Sequence, residues 1–365
     1  MKKNLIFFMS DFSFGGAGNS ISKLCVNLPK KNYKISVICI GKCDYKEILR
    51  KNYIDVYQLK NKKLIFSIFS IYNLLKKIFD KRYKNILISN IHYNNIILLI
   101  IAKKIKHLKI ILVERTPLEE LNIYFSKIDF LKKKIINFLI KILYPLSNTI
   151  IANSKGIKNG FNKSLQKKIK VVYPPSLPKI KRLRKKIYQK NIFKAVCFSR
   201  LSKEKNLECA IKSFQFLKNK NISLTIYGEG ILKNDLLSLI NKLNLKKKVI
   251  IKKFHKNPES EMKNFDILIS PSFFEGCSNT IIEALNNNLI VIASKCPGGN
   301  AEILSYGKSG LLFKTNNEYD LFLKINKILS NSSFYFNKLK NHRRNLKKFL
   351  VSFNVEKFSN IFKRI

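Results

Sequence analysis

The chain has no apolar run long enough to cross a bilayer. The best candidate, Ile96–Ala102, is followed at once by Lys103 and Lys104. The opening Met1-Lys2-Lys3 is followed only by the short apolar stretch Leu5–Met9, with no small-residue cleavage signal at a suitable distance, so a first β-strand is expected there rather than a leader. No Cys-x-x-Cys pair occurs. The seven cysteines (Cys25, Cys39, Cys43, Cys197, Cys209, Cys277 and Cys296) are scattered, which argues against a disulfide framework or a thiolate metal site and for buried or incidental thiols in a reducing compartment. No Asp-x-Asp pair offers a carboxylate metal motif, and no metal is expected. Acidic residues are few, 22 against 71 Lys and Arg, for a formal charge of +49. That excess fits a nucleic acid, an anionic membrane surface or a phosphorylated substrate. The chain is also crowded with Lys, Asn, Ile, Phe and Tyr, with Arg scarce beside Lys, so AT-rich codon bias is a competing source of the charge. No recognisable RNA- or DNA-binding module accompanies it, and no nucleic-acid partner is expected.

What is present is an alternation of short buried-type strands with helical patterns, repeated in two halves. Strands are expected at Leu5–Met9, Ile35–Ile40, Asn85–Ser89, Ile110–Val113, Thr149–Ala152 and Ile169–Val172. In the second half they are expected at Phe193–Phe198, Ser223–Tyr227, Val249–Ile251, Ile267–Ser270, Ile290–Ala293 and Leu311–Phe313. Helical patterns fill the gaps, as at Ser20–Leu28, Leu64–Phe79 and Ile128–Leu143. This order gives α/β domains with doubly wound sheets and ligand crevices at the strand C-termini. Pro174, Pro175 and Pro178 and the basic run Lys179–Lys186 mark a break. The expected domains are residues 1–175, a linker 176–191, a second domain 192–350, and a C-terminal helix 351–365 packing back on the first domain.

Three segments carry chemistry. In Ser270–Ala284, Glu275 closes a loop after a strand, Ser278 can cap the next helix, and Glu283 falls on its second turn. Two carboxylates so placed can accept hydrogen bonds from sugar and ribose hydroxyls, beside a helix N-terminus that favours a diphosphate. Two glutamates at this spacing also arise by chance, and the strand-loop-helix setting is what favours a site. In Phe198–Asn206, Arg200 and Lys205 follow a strand, where a guanidinium fork and an ammonium can meet a diphosphate. A lone Arg and Lys carry no signal in so basic a chain apart from that placement. In Ser13–Gly18, Gly15 and Gly16 let backbone N–H groups approach a phosphate ahead of a helix, although Gly-Gly alone is usually a tight turn.

These segments resemble glycosyltransferase family 4, which carries Glu-x7-Glu in the context Ser-x-x-Glu-Gly and then Glu-Ala, here Ser272–Gly276 and Glu283–Ala284. The resemblance continues through Ile290–Ser294, Gly298–Ile303 and Gly310–Leu312, and some family members that act on bacterial cell-surface glycans look similar at Glu114-Arg115 as well. It departs at Asn286-Asn287-Asn288, where the family usually has a glycine turn; Asn tolerates positive φ. The resemblance implies a GT-B fold, two Rossmann-like domains facing across a cleft. It also implies a retaining transfer from a nucleoside diphosphate sugar, a UDP-sugar, without metal or other cofactor. Arg200, Lys205 and Glu275 are then the catalytic candidates. The donor-binding set adds Gly15, Gly16, Gly276, Asn279, Thr280, Glu283, Gly298 and Gly299. Where many family members have a histidine, this chain has Glu114-Arg115-Thr116, so His92, Glu114 and Arg115 are the candidate acceptor or cleft residues. A local ion pair between Glu114 and Arg115 is the plain alternative. The expected acceptor is a growing or lipid-linked glycan of surface polysaccharide, and the expected place is the cytoplasmic face of an anionic membrane, peripherally bound. Two rivals stand beside this reading: a UDP-sugar epimerase on the same fold, which needs its own acid–base pair, and a basic nucleic-acid-binding protein.

Overall fold

The computed structural model describes residues 2–59, 63–183, 192–255 and 257–365, with the side chains of 341 and 342 left aside. Residues 184–191, most of the expected linker, lie outside the described residues. The chain divides into two units, Met1–Pro178 with Phe349–Ile365, and Lys179–Lys348.

In the first unit the described strands are β1 (Lys3–Met9), β2 (Tyr33–Cys39), β3 (Asp55–Gln58), β4 (Lys84–Asn90), β5 (Leu108–Glu114), β6 (Thr149–Ala152) and β7 (Ile169–Val171). They form one parallel sheet in the order β3-β2-β1-β4-β5-β6-β7. The central strands are apolar throughout because helices cover both faces. β3 was not among the expected strands: Asp-Val-Tyr-Gln is short, mostly polar and lies at the sheet edge. One face packs on the helix Gly16–Asn27 and on the last helix, Val351–Arg364, whose Phe358 and Phe362 are buried. Lys3 Nζ, donating to the Phe362 carbonyl, ties that helix to the first strand. The other face packs on Ile68–Ile78, His92–Lys103 and Lys127–Leu143.

In the second unit β8 (Phe193–Phe198), β9 (Ile222–Tyr227), β10 (Val249–Lys252), β11 (Ile267–Ser270), β12 (Ile290–Ser294) and β13 (Leu311–Phe313) form a parallel sheet in the order β10-β9-β8-β11-β12-β13. The triple asparagine makes its turn with Asn288 at φ 67, where the amide side chain meets Arg343. Within the basic run after Pro178, Lys181 is docked on this unit. Lys181 Nζ lies 2.6 Å from Glu259 Oε2, and the Lys181 amide donates to Asn286 Oδ1 at 3.0 Å.

Candidate active site

Strand order in each sheet reverses beside its first strand, between β1 and β4 and between β8 and β11. Loops leaving adjacent strands diverge there, which opens a crevice at the carboxyl ends. In the second unit the two loops at that point are 199–206, after β8, and 271–278, after β11. They carry Arg200, Lys205 and Glu275.

Lys205 Nζ lies 2.6 Å from Glu275 Oε1, and the Ser272 hydroxyl donates to the same oxygen at 2.9 Å. Both charged side chains are mostly buried, with Lys205 18% exposed, whereas Arg200 is 76% exposed and pairs with Glu204 at 2.8 Å. Glu204 is a residue that the sequence reading missed. It takes the Ser202 hydroxyl at 2.7 Å, and its carbonyl accepts the Phe273 amide at 2.9 Å, which joins the two loops. Burial works against its charge, but Ser202, Arg200 and Lys205 outweigh it and hold the carboxyl below its ordinary value. Ser272 is anchored in turn, because the Ser294 hydroxyl at the end of β12 donates to its carbonyl at 2.6 Å.

The Glu275 backbone is gripped by the segment after β12. Its amide donates to the Pro297 carbonyl at 3.2 Å, and its carbonyl accepts the Gly299 amide at 2.9 Å. Gly298, at φ +105, presses against it so closely that a Cβ would sit 1.8 Å from the Glu275 oxygen. Only glycine fits. Gly276 is buried beside Glu275, and Ser278 caps the helix Asn279–Asn286. Asn279 and Thr280 form that helix's half-buried first turn, and Glu283 is buried one turn on. A second contact of this kind went unread in the sequence. Gly228 follows β9, and a Cβ there would meet the Ser199 oxygen at 2.0 Å. The Gly-Glu-Gly after a strand at 228–230 was the available signal.

The first unit presents Gly15 and Gly16, both exposed, at the start of the helix Gly16–Asn27 after β1. The acceptor candidates stand differently. His92 and Glu114 are fully buried and closed to solvent in this arrangement. His92 Nε2 is 2.8 Å from Glu120 Oε1 and Nδ1 is 3.4 Å from Glu114 Oε2. Burial pulls the imidazole pKa down, but contact with Glu114 and Glu120 overcomes it and the value rises to about 9. The Tyr144 hydroxyl and Asn95 Nδ2 both donate to Glu114 Oε1, the latter at 2.6 Å. Arg115, half exposed, donates from Nε to Asn90 Oδ1 at 2.8 Å, at the C-terminal end of β4. Of the three, Arg115 alone reaches solvent.

Residues 179–349 match the family model described as glycosyl transferases group 1. That segment, a little under half of the chain, coincides with the second unit. An uncharacterized glycosyltransferase of Methanocaldococcus jannaschii is 40% identical over 92 residues, 22% of this chain and 23% of that protein. The N-acetylgalactosamine-N,N'-diacetylbacillosaminyl-diphospho-undecaprenol 4-alpha-N-acetylgalactosaminyltransferase of Campylobacter jejuni is 31% identical over 127 residues, 34% of this chain and 35% of that protein. The chain thus spans about a quarter to a third of the length of these curated relatives. The solved structure of HepE from Anabaena in complex with UDP-glucose is 17% identical, with a TM-score of 0.81 over 99% of this chain and 100% of that one. The fold is GT-B, with two Rossmann-like units.

Proposed function

We propose that the chain is a retaining glycosyltransferase of family 4 that moves a sugar from a UDP-sugar to a lipid-linked or polymeric glycan of a bacterial surface polysaccharide. The observation that carries this is the Lys205–Glu275 contact of 2.6 Å, made where the strand order reverses in the unit that matches the group 1 glycosyl transferases. A donor supplies both partners of that pair with a substitute: its diphosphate satisfies Lys205, and its sugar hydroxyls satisfy Glu275. Arg200 adds an exposed guanidinium at the same edge. Glu283 takes the ribose hydroxyls.

In the reaction the bond from the anomeric carbon to the diphosphate breaks, and a bond to the acceptor oxygen forms on the same face. The acceptor's proton passes to the departing phosphate oxygen. Charge grows on the diphosphate as it leaves, and Lys205 and Arg200 stabilise it there without a metal. The acceptor class is supported by the Campylobacter relative, whose name specifies a diphospho-undecaprenol substrate. A lipid carrier also calls for work at the cytoplasmic membrane face. The charge of +49 favours anionic lipid, and among the described residues no helix is long and apolar enough to span a bilayer. The epimerase alternative needs an exposed acid–base pair, and the cluster of His92, Glu114 and Glu120 is buried. A screen of nucleotide sugars with lipid-linked acceptors, read as nucleoside diphosphate release, tests the proposal. Release from a UDP-sugar that depends on the acceptor supports it, and no release from any donor overturns it.

A further inference from the structure

The helix Lys127–Leu143 turns Lys133 and Ile140 inward against the first unit's core, and opposite them it carries apolar side chains in solvent. Ile128, Leu131, Ile135, Phe138 and Ile142 recur at alternating steps of three and four residues, so they form one stripe along the helix. Ile128 is 83% exposed, Leu131 62% and Phe138 61%. A surface helix normally shows the reverse pattern, polar outward. Along one border of the stripe run Lys127, Lys134 and Lys141, each seven residues from the next and all exposed. The neighbouring helices of the same layer add exposed Phe69 and Ile100, with Lys76, Lys77, Lys103 and Lys104 near their C-terminal ends. Lys133, one of the basic residues of this helix, is not part of that surface: it is buried, donating to the Ile123 carbonyl at 2.8 Å.

From this pattern we infer that the outer face of Lys127–Leu143 inserts into the interfacial layer of an anionic bilayer. The apolar stripe enters the acyl boundary and the lysine row meets the headgroups. An apolar face flanked by lysines is the composition that such helices use. A second copy of this chain fits poorly, since it would bring two strongly cationic surfaces together. Nucleic acid would leave the apolar stripe unused. The inference rests on the membrane setting proposed above and adds that attachment is hydrophobic as well as electrostatic.

The chain contains no tryptophan, so Phe138→Trp introduces a single reporter. Its emission is expected to shift to the blue with vesicles of equal phosphatidylglycerol and phosphatidylcholine, while Tyr306→Trp, exposed on the second unit, stays unshifted. Leu131→Glu/Ile135→Glu/Phe138→Glu is expected to weaken vesicle binding tenfold or more at low and high salt. Lys127→Gln/Lys134→Gln/Lys141→Gln is expected to weaken it at low salt alone. An unshifted Phe138→Trp, or a glutamate variant that binds like wild type, overturns the insertion. So does a wild-type dimer that the glutamate substitutions convert to monomer without any vesicle binding. UDP titration of the same proteins separates the two proposals: vesicle binding without UDP binding removes the transferase reading and leaves the docking face intact.

Discussion

Gly298→Ala is a small change with a large expected effect on the site. At φ +105 an alanine carries a backbone penalty of roughly 1–2 kcal/mol. Its Cβ would start 1.8 Å from the Glu275 oxygen, so one backbone or the other must retreat by about 1 Å to reach even a tight contact. That movement breaks the Gly299 amide bond to the Glu275 carbonyl, now 2.9 Å, at a cost of about 1 kcal/mol. The sum is roughly 3 kcal/mol, which for a unit of this size lowers the melting temperature by on the order of 5–10 °C. Glu275 moves with its backbone, away from Lys205 and Ser272, so transfer should fall more steeply than stability. Thermal unfolding followed by circular dichroism, with hydrogen exchange read on peptides covering residues 271–300, measures the first effect, and donor turnover the second. Gly15→Ala is the control: its φ of 163 is extended and a Cβ there meets nothing within 4 Å, so stability should change by less than about 0.5 kcal/mol. A Gly298→Ala protein that melts with the wild type and keeps full activity refutes the claim that this contact positions Glu275.

Lys205→Ala and Arg200→Ala should each cost on the order of 2–4 kcal/mol in kcat/KM, the scale for a preorganised stabilising donor, and steady-state kinetics on the double variant checks this. Near-normal turnover there removes the diphosphate clamp. The His92 cluster predicts a pH-dependent stability. Its pKa is about 9 when folded against 6.5 ordinarily, so the stabilisation is complete below about 6.5 and disappears as the pH rises through about 9. The loss is roughly 3 kcal/mol between neutral pH and about pH 10, and urea unfolding of wild type beside His92→Gln isolates it. Parallel pH profiles for the two proteins contradict the assignment.

The parallel strands were legible in the sequence because burial on both faces writes them as unbroken apolar runs, and β3 escaped because an edge strand needs no such run. The loop and helix around Glu275 and Glu283 were legible because a strand, a serine cap and a helix follow in order. The work done by Gly298 was not, since it depends on a backbone oxygen 23 residues earlier in the chain. Glu204 and Ser272 look ordinary until the loops after β8 and β11 meet. His92 showed the same limit from the other side: a lone histidine after a strand reads as a cleft residue, and only Glu120, from a turn 28 residues on, reveals a buried charge cluster. In Lys127–Leu143 the 3.6-residue period was visible, but which of its apolar faces pointed outward was not.

Calorimetric titration of UDP into wild type, Glu283→Gln and Glu275→Gln tests the central claim most directly. Glu283, buried one turn into the helix, is assigned the ribose, and Glu275, in the loop beside Lys205, the sugar. UDP should therefore bind the wild type, bind Glu283→Gln more weakly, and bind Glu275→Gln almost unchanged while that variant loses transfer. Absence of UDP binding by the wild type, or equal binding and turnover by all three proteins, would contradict a nucleotide-sugar site in this unit.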